Sequence, residues 1–406
     1  MPCCFDGVAK RPAGIAFSNT TVTIGDNVTQ QVKSVVCSLL PQFRKVAKKD
    51  FRVISVTGGI TNLLFKVEST GSNAPNPVLV RIFGEAGDKV CDRVAENLVF
   101  AELAEKELAP KLLGTFANGR VEEFYEGMRS LDPEEMLSDT NVPRIARQLA
   151  AMHAFVPRRL KRGMEILLWE QLDGWLKTAR GVSFQDPAQA KRLQELDLDL
   201  IEQELQWVRQ QLPSPDNNWG AALLKSANSE SGDPTFRAAQ QALYQPVFCH
   251  NDLLAGNVMV PIGKAQICRF IDFEYASVNS AGLDIANHFT AAPESYLITF
   301  GTLDPDKDFP KPEVIEKWME FYFDGRAHPS AHDPVFLRNC REVTMGFVLA
   351  AELRWVIWGV IQAGYSPVAD FDYLDYCNQR FNRGYMKYKE WYLKGSGSGG
   401  EECSIQ

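Results

Sequence analysis

The pattern of apolar and polar positions predicts a small lobe of strands in the first third of the chain. Short runs rich in β-branched and aromatic residues predict five strands, over residues 51–56, 63–68, 78–83, 111–116 and 119–125. Between the third and fourth strands, apolar positions recur at helical spacing from about Lys89 to Leu108, and Pro110 ends that helix. Asn118-Gly119 is typical of a hairpin turn between the last two strands.

After about Glu126 the pattern becomes mainly helical. Helical periodicity predicts six helices, near residues 142–155, 164–179, 187–211, 312–324, 334–362 and 373–393. Three short β-like pieces lie among them, at residues 247–249, 258–260 and 267–271. The segment 213–235, rich in Pro, Ser, Asn and Gly, predicts a surface loop. The predicted fold class is therefore α+β, with a five-stranded lobe carrying one helix and a larger, mainly α-helical lobe.

Four segments follow from this pattern. We expect a flexible N-terminal extension at 1–30, an N-terminal strand lobe at 31–125, a C-terminal helical lobe at 126–394, and a Gly/Ser tail at 395–406. The last four residues, Cys403 to Gln406, fit a prenylation motif whose final Gln favours farnesyl, and acylation of Cys3 and Cys4 would add a second anchor. Peripheral membrane association is one expectation for this tail, and a solvated tail without lipid is the alternative.

Composition and charge narrow the class of protein. Of the 406 residues, 45% are hydrophobic, which supports a sizeable core and excludes global disorder. The chain has 43 Lys and Arg against 51 Asp and Glu, so its net charge of −8 argues against a nucleic-acid partner. The nine cysteines show no zinc-site spacing, and the start of the chain has no apolar stretch of signal-peptide length. We therefore expect a cytoplasmic protein without a disulfide framework.

The candidate chemistry lies between the β-like pieces of the helical region. His250, Asp252 and Asn257 follow the spacing HxDxxxxN, and Asp272 ends an apolar run fifteen residues later. Phosphoryl transfer needs a carboxylate beside the acceptor hydroxyl, a role that suits Asp252, and oxygen ligands for Mg²⁺, which Asn257 and Asp272 supply. His250 begins the loop and suits a hydrogen-bonding role that fixes its shape. An ordinary Asn/Asp/Gly turn is the alternative, which the flanking strands and the second aspartate disfavour.

The small lobe offers matching residues for a nucleotide. The turn TGGITN contributes Gly58, Gly59, Thr61 and Asn62, and glycine there lets backbone N–H groups approach phosphate oxygens closely. A plain hairpin is the alternative for this turn.

A cation on the third strand completes the predicted nucleotide site. Arg81 is expected to contact the phosphates and to pair with Glu96 on the following helix. The strand that ends near Glu123, where the lobes join, is the expected place for the adenine of ATP to meet backbone groups.

These segments resemble the choline/ethanolamine kinase family. The resemblance rests on HNDLLAGNVMV, FIDFEYASVNSAGLDIANHF, GGITNLLFKV and VRIFG, and it extends over most of residues 50–390. It implies a bilobal protein-kinase-like fold, ATP and Mg²⁺ as cofactors, an amino alcohol as substrate and, often in the family, a homodimer. Asp252 then looks like the catalytic base, Asn257 and Asp272 like the magnesium ligands, and Glu274 and Asp284 like carboxylates behind the metal or beside the substrate.

Aromatic residues predict the substrate's cationic end. Trp355 and Trp358 are three apart on a helical segment and so share a face that could meet an ammonium group, although core packing is the commoner use of such spacing. Tyr275, Phe371 and Tyr376 match aromatic positions of the family's amine pocket.

One departure from the family concerns the carboxylate of the amine pocket. The family usually has a glutamate two or three residues after its His-Phe pair, whereas Phe289 is followed by Thr-Ala-Ala-Pro and the nearest carboxylate is Glu294. Glu352, one helical turn before Trp355, is predicted to supply the charge instead. A primary ammonium needs acceptors for three N–H groups and choline needs none, so carboxylates would favour ethanolamine.

The sequence therefore predicts an ethanolamine kinase that makes phosphoethanolamine for phospholipid synthesis. Leu254 supports this preference, because choline kinases usually carry a glutamine at the matching position. A choline kinase or a dual-specificity kinase is the alternative within the family. A pseudokinase or amine-binding regulatory module is the alternative outside catalysis, and the presence of Asp252, Asn257 and Asp272 argues against it.

Overall fold

The computed structural model describes the chain in eight segments, and the strands and helices below are those within them. These segments are residues 12–56, 62–71, 74–84, 93–158, 163–212, 233–263, 267–366 and 371–397. The strands are β1 Ala16–Ser18, β2 Phe51–Val56, β3 Asn62–Ser69, β4 Val78–Phe83, β5 Leu112–Phe116, β6 Gly119–Glu123, β7 Met128–Ser130, β8 Pro246–Cys249, β9 Val258–Pro261, β10 Arg269–Phe270 and β11 Ser277–Ser280.

The helices are concentrated in the second part of the chain. They are α1 Val28–Leu39, α2 Arg93–Glu105, α3 Val142–His153, α4 Leu168–Ala179, α5 Pro187–Leu196, α6 Leu198–Gln211, α7 Pro234–Tyr244, α8 Ala281–Phe300, α9 Pro305–Asp308, α10 Pro312–Gly325, α11 Pro334–Tyr365, α12 Tyr373–Gln379 and α13 Met386–Gly397. A π-helical turn, Arg380–Tyr385, joins α12 to α13. A sheet lobe followed by a helical lobe confirms the predicted α+β, protein-kinase-like fold class.

The small lobe is built on a six-stranded sheet with the order β1-β5-β6-β4-β3-β2. β1 runs parallel to β5 and the other neighbours are antiparallel. The sheet thus has one strand more than predicted, because Ala16–Ser18 lies in the segment 1–30 that was expected to be a flexible extension. Three residues carry too short a pattern to be recognised as a strand, and pairing with β5 supplies the stability that their own sequence lacks.

The turn at Asn118-Gly119 ties the start of the chain to this sheet. The Asn118 side chain accepts a hydrogen bond from the Val22 N–H at 2.9 Å and donates one to the Val22 carbonyl at 2.8 Å. Gly119 begins β6, and a Cβ atom there would lie 2.2 Å from the Arg81 carbonyl oxygen. Glycine is therefore required by the close approach of two backbones.

Helix α11 forms the centre of the helical lobe. It is long and apolar enough to cross a membrane by composition, but its most apolar stretch is almost entirely buried among the other helices, as in the core of a helical domain. Helices α4, α7, α8 and α12 pack against it. The predicted helix at 187–211 is two helices, α5 and α6, which are separated at Asp197, where the backbone has a left-handed φ of 55°. Helices α7 and α8 were not predicted.

Two small sheets hold the loops that carry the predicted chemistry. β8 pairs with β11, while β9 pairs with β7 and β10, so residues 250–257 and 271–276 are each anchored at both ends. Asn251 and Asp272 have φ values of 63° and 65°, in the left-handed region that asparagine and aspartate tolerate better than most residues. The strands therefore bring the two loops together. The tail residue Cys403, like Cys3 and Cys4, lies outside the described residues.

We predict that Gly119→Ala destabilises the small lobe. The added Cβ would clash with both the Arg81 carbonyl oxygen and the Phe116 ring, so we expect a loss of about 1–3 kcal/mol in the free energy of unfolding. Gly174→Ala is the matched control, because Gly174 lies exposed inside α4 with nothing within 4 Å, and helix propensity predicts a gain of about 0.5–1 kcal/mol. Urea denaturation of both variants checks this, and equal midpoints would contradict the role of the close contact.

Candidate active site

The loop after β8 is held by a buried carboxylate from helix α8. The backbone N–H groups of His250 and Asn251 donate to Asp284 Oδ2 and Oδ1 at 2.6 and 2.7 Å. His153 Nε2 lies 3.0 Å from Oδ2, and these hydrogen bonds help to lower the pKa of Asp284 despite its burial. Asp284 was predicted to lie either behind the metal or beside the substrate. Its contacts support the first position and not the second, because both of its oxygens bond the backbone of the catalytic loop.

His250 joins the two catalytic loops. Its Nε2 donates to the Ile271 carbonyl at 3.0 Å, and burial lowers its pKa, which favours the neutral ring. The ring is fully buried and does not line the cavity that Asp252 faces. His250 therefore acts as a positioning residue, in keeping with the loop-shaping role predicted for it, and not as a base that touches substrate.

Asp252 and Asn257 face a common cavity of about 360 Å³, which is lined by residues of the helical lobe. The Asn257 Nδ2 donates to the Asp252 carbonyl at 2.8 Å and to its Oδ2 at 3.0 Å, which leaves the Asn257 Oδ1 as a further oxygen ligand. Burial raises the pKa of Asp252 well above its ordinary value, and the negative charges of Glu294 and Asp272 add to that shift. A raised pKa makes the Asp252 carboxylate a stronger proton acceptor than an ordinary aspartate.

Asp272 lines the same cavity from the second loop. Its Oδ1 accepts a hydrogen bond from the Arg81 Nη1 at 3.1 Å, and its side chain is partly exposed to the cleft. Asn257 and Asp272 thus offer amide and carboxylate oxygens, the donor set that Mg²⁺ prefers, and this donor chemistry fits the predicted metal ligands.

The predicted pair of Arg81 with Glu96 is wrong. Arg81 Nε instead donates to Glu122 on β6 at 2.9 Å, while Glu96 accepts from Arg120 Nη1 at 2.6 Å and from Arg93 at 2.9 Å. Arg120 and Glu122 are two apart on one strand, so they project to the same face and also pair with each other at 3.0 Å. The alternation of charged and other residues in the segment GRVEE indicates that Arg120 and Glu122 share one face of the strand, and it could have predicted this buried network of ion pairs.

Arg93 connects the small lobe to the second catalytic loop. Its Nη1 donates to Glu274 Oε2 at 2.9 Å, and Asn62 Nδ2 donates to the same oxygen at 3.2 Å. Glu274 lines the cavity as predicted, but these contacts place its charge against the small lobe rather than against a substrate amine. Asn62 was predicted to meet phosphate and instead supports Glu274, while Gly58, Gly59 and Thr61 lie outside the described residues.

Glu123 is already bonded at the end of β6. Its N–H donates to the Lys111 carbonyl at 2.9 Å, and its Oε2 accepts from the Lys111 N–H at 3.2 Å. Because the Glu123 N–H is already bonded to Lys111, the adenine predicted at this strand end would have to bind other groups there.

The predicted aromatic residues meet in the cavity that Asp252 faces. Tyr275, Trp355, Trp358, Phe371 and Tyr376 all line it. Trp355 makes edge-to-face contacts with Tyr275 and Trp358 at centroid distances of 5.4 and 5.3 Å. Trp358 Nε1 donates to the Tyr275 hydroxyl at 2.8 Å, so the rings are held in fixed orientations. This arrangement forms an aromatic wall for an organic cation.

Glu294 supplies a buried carboxylate beside the aromatic residues, and the prediction that Glu352 does so is wrong. Glu294 lines the cavity, its Oε1 accepts from the Tyr376 hydroxyl and from Arg380 Nη1, and its buried Oε2 has no hydrogen-bond partner among the described residues. Glu352 does not line the cavity, because both of its oxygens bond Arg380 at 2.9 and 3.0 Å.

The helical reading of residues 281–300 would have identified Glu294. Helix α8 was not predicted, and it continues through Pro293. Glu294 lies seven residues, or two turns, after Asn287, which accepts a hydrogen bond from Trp355 Nε1 at 2.6 Å. Both residues therefore share the face of α8 that meets the aromatic residues.

Comparisons with known proteins place the chain beside amino-alcohol kinases. The sequence profile described as "Choline/ethanolamine kinase" matches residues 53–385. A relative from Arabidopsis thaliana named "Probable ethanolamine kinase" is 30% identical over 344 residues, covering 84% of this chain and 80% of the relative. Another from the same plant, "Probable choline kinase 2", is 28% identical over 358 residues, covering 87% and 91%. Both substrate names thus occur among relatives of similar identity.

A solved structure shares the fold. The Plasmodium vivax ethanolamine kinase superposes with a TM-score of 0.69 at 21% identity, covering 91% of this chain and 90% of that one. At this identity the likeness is one of architecture, and it agrees with the sheet lobe and helical lobe described above.

We predict that acid destabilises the folded chain through His288, which supports the first catalytic loop. Its Nδ1 donates to the Leu253 carbonyl at 3.0 Å, and burial lowers its pKa from 6.5 to about 4. The unfolded chain binds this proton below about pH 6.5 and the folded chain does not, so the stabilisation is complete above that pH and is lost as the pH falls toward 4.

Urea midpoints between pH 5 and 8 test this prediction. In His288→Asn, which keeps a donor for Leu253, we expect the decline below pH 6.5 to be shallower by roughly 1 kcal/mol per pH unit. His332→Asn is the control, because His332 is exposed on the surface. Equal slopes in the two variants would show that His288 does not titrate in this range.

Proposed function

This chain belongs to the choline/ethanolamine kinase family, and we propose that its substrate is ethanolamine, which it phosphorylates with ATP to give phosphoethanolamine. The observation that carries the choice of substrate is the Glu294 carboxylate, whose Oε2 is buried without a hydrogen-bond partner among the described residues beside the aromatic cavity. A buried acceptor that finds no donor is costly, so this oxygen favours a ligand that brings one.

The hydroxyl end of the substrate lies at Asp252 in this proposal. Asp252 orients the hydroxyl and takes its proton while the hydroxyl oxygen bonds to the γ-phosphorus and the bond to the ADP oxygen breaks. Asn257 and Asp272 are the residues that would hold Mg²⁺, whose charge offsets that of the phosphates when it is bound. Arg81, hydrogen-bonded to Asp272, keeps a positive charge at the same end of the cavity.

The ammonium end lies among the aromatic residues. Cation–π attraction to Tyr275, Trp355 and Trp358 contributes about 0.5–2 kcal/mol for each contact and would serve choline as well as ethanolamine. The distinction rests on hydrogen bonding, because a primary ammonium has three N–H donors and a quaternary one has none. Glu294 Oε2 can accept one of them, which supports ethanolamine over choline. The same rings keep a dual-specificity kinase as the second candidate.

A side-by-side turnover assay tests the proposed reaction. We expect ATP consumption with ethanolamine at a higher kcat/KM than with choline, and intermediate values for N-methyl and N,N-dimethyl ethanolamine. Asp252→Asn should lower kcat by about 10²–10⁴-fold, because it removes the base and leaves the shape of the site. A higher kcat/KM for choline would overturn the substrate, and an absence of turnover with every amino alcohol would overturn catalysis.

Glu294→Gln tests the proposed amine contact. The glutamine oxygen can still accept from Tyr376 and Arg380, while its amide N–H₂ replaces the free oxygen. Loss of a hydrogen bond to a charged group, about 1.5–3 kcal/mol, predicts a KM for ethanolamine raised by roughly 10- to 150-fold. The KM for choline should rise less, because choline loses only the attraction of the carboxylate charge.

Glu204→Gln is the matched control for this variant. Glu204 also accepts hydrogen bonds from a tyrosine hydroxyl and a cation, those of Tyr385 and Lys389, but it lies on α6 and does not line the cavity. We expect its KM values to stay within twofold of the unaltered chain. Equal effects of Glu294→Gln on ethanolamine and choline would contradict a hydrogen bond to the ammonium group.

A further inference from the structure

A buried arginine contacts both the loop that carries Asp252 and the aromatic wall, from the side away from the cavity. Arg354 is on α11, is 1% exposed, and immediately precedes Trp355 of the aromatic wall. It does not line the cavity, so it does not touch substrate.

The first contact of Arg354 is with the catalytic loop. Its Nη1 donates to the carbonyl of Asn251 at 2.7 Å, one residue before Asp252. Asn251 has the left-handed φ of 63°, which persists only where neighbours determine it. The Asn251 N–H and side chain are bonded to Asp284, to Tyr275, to Ser277 and to Asn279, so Arg354 supplies the contact to its carbonyl from a different element, α11.

The second set of contacts is with the aromatic wall. The Arg354 guanidinium lies 4.6 Å from the ring centroid of Trp355, 5.5 Å from that of Tyr275 and 5.1 Å from that of Trp175. Two of these rings line the cavity, and the third lies behind them and contacts Tyr275 edge to face. A cation over a ring restrains its tilt and occupies one of its faces, so the substrate cation is left at most the opposite face.

One planar group therefore touches the loop that carries the base and the rings that receive the ammonium. The two ends of ethanolamine are joined by only two carbons, so the distance between the base and the amine site must be closely fixed. Misplacement of reacting groups by about 1 Å can cost 10²-fold in rate.

We infer that Arg354 is a positioning residue that fixes the catalytic loop relative to the aromatic wall, and so sets the separation between the hydroxyl and ammonium ends of the substrate. This inference rests on the proposed reaction at the same site, but not on which amino alcohol is preferred. Arg354→Met, of similar length and without charge or donors, is expected to lower kcat about 10- to 100-fold and to raise the KM of the amino alcohol at least fivefold. The KM for ATP should stay within twofold.

The test uses the full chain and whichever amino alcohol the unaltered protein phosphorylates, so an error in the choice of substrate does not affect it. A merely structural role would reduce the active fraction, which lowers kcat and leaves both KM values unchanged. Arg341→Met is the matched control on the same helix. Arg341 lies away from the cavity and pairs with Glu316 at an N–O distance of 2.8 Å, so this variant should retain normal kinetics.

Two further variants keep the inference testable where Arg354→Met does not fold. Arg354→Lys keeps a cation and a donor, and Arg354→Gln keeps a donor without the charge. We expect the lysine variant to recover a KM for the amino alcohol within threefold of the unaltered chain and the glutamine variant to remain raised. Kinetics equal to those of Arg341→Met in every folded Arg354 variant, or equal values for lysine and glutamine, would overturn the inference.

Discussion

The site depends on one buried interaction, the carboxylate of Asp284 with two successive backbone N–H groups of the catalytic loop. A buried carboxylate is costly unless several donors satisfy it, and here His153 adds a third. Asp284 also lies in the first turn of α8, where the helix dipole stabilises negative charge. Asp284 therefore stays ionised. Asn251, whose left-handed backbone directs Asp252 into the cleft, is held at its N–H by Asp284 and at its carbonyl by Arg354.

Helix α8 extends this control from the hydroxyl end to the amine end. Asp284 and His288 hold the catalytic loop, Asn287 binds Trp355, and Glu294 enters the aromatic cavity. Ten residues of helix separate Asp284 from Glu294, which corresponds to about 15 Å of rigid rise. A single helix thus ties together groups that belong to different loops, and Arg354 on α11 braces the same two regions from behind.

Local sequence patterns identified the residues of the site that act within one short segment. Asp252, Asn257 and Asp272 were readable because their spacing and flanking strands are local, and the two tryptophans because they share a helical face. Tyr275, Phe371 and Tyr376 were predicted only from the resemblance to the family. Partners were not readable where three-dimensional packing decides them. Glu96 pairs with Arg120 rather than with Arg81, and Glu352 pairs with Arg380. Glu294 lies on a helix that was not predicted and that continues through Pro293. Opposite charges on one face indicate that a pair will form, but not which pair.

The charge balance at the amine end explains why this site suits a small cation. Glu294 and Glu352 share Arg380, so two carboxylates face one guanidinium in a fully buried cluster. Burial raises the pKa of Glu352 to about 7, and the nearby Glu294 adds to that shift while Arg380 opposes it, so Glu352 is only about half ionised near neutral pH. Glu352 is held by both of its oxygens, which leaves Glu294 as the member that can turn its second oxygen to a ligand. An ammonium group beside Glu294 would bring both a donor for this oxygen and a positive charge that favours the ionised form of Glu352, whereas a neutral alcohol would bring only the donor.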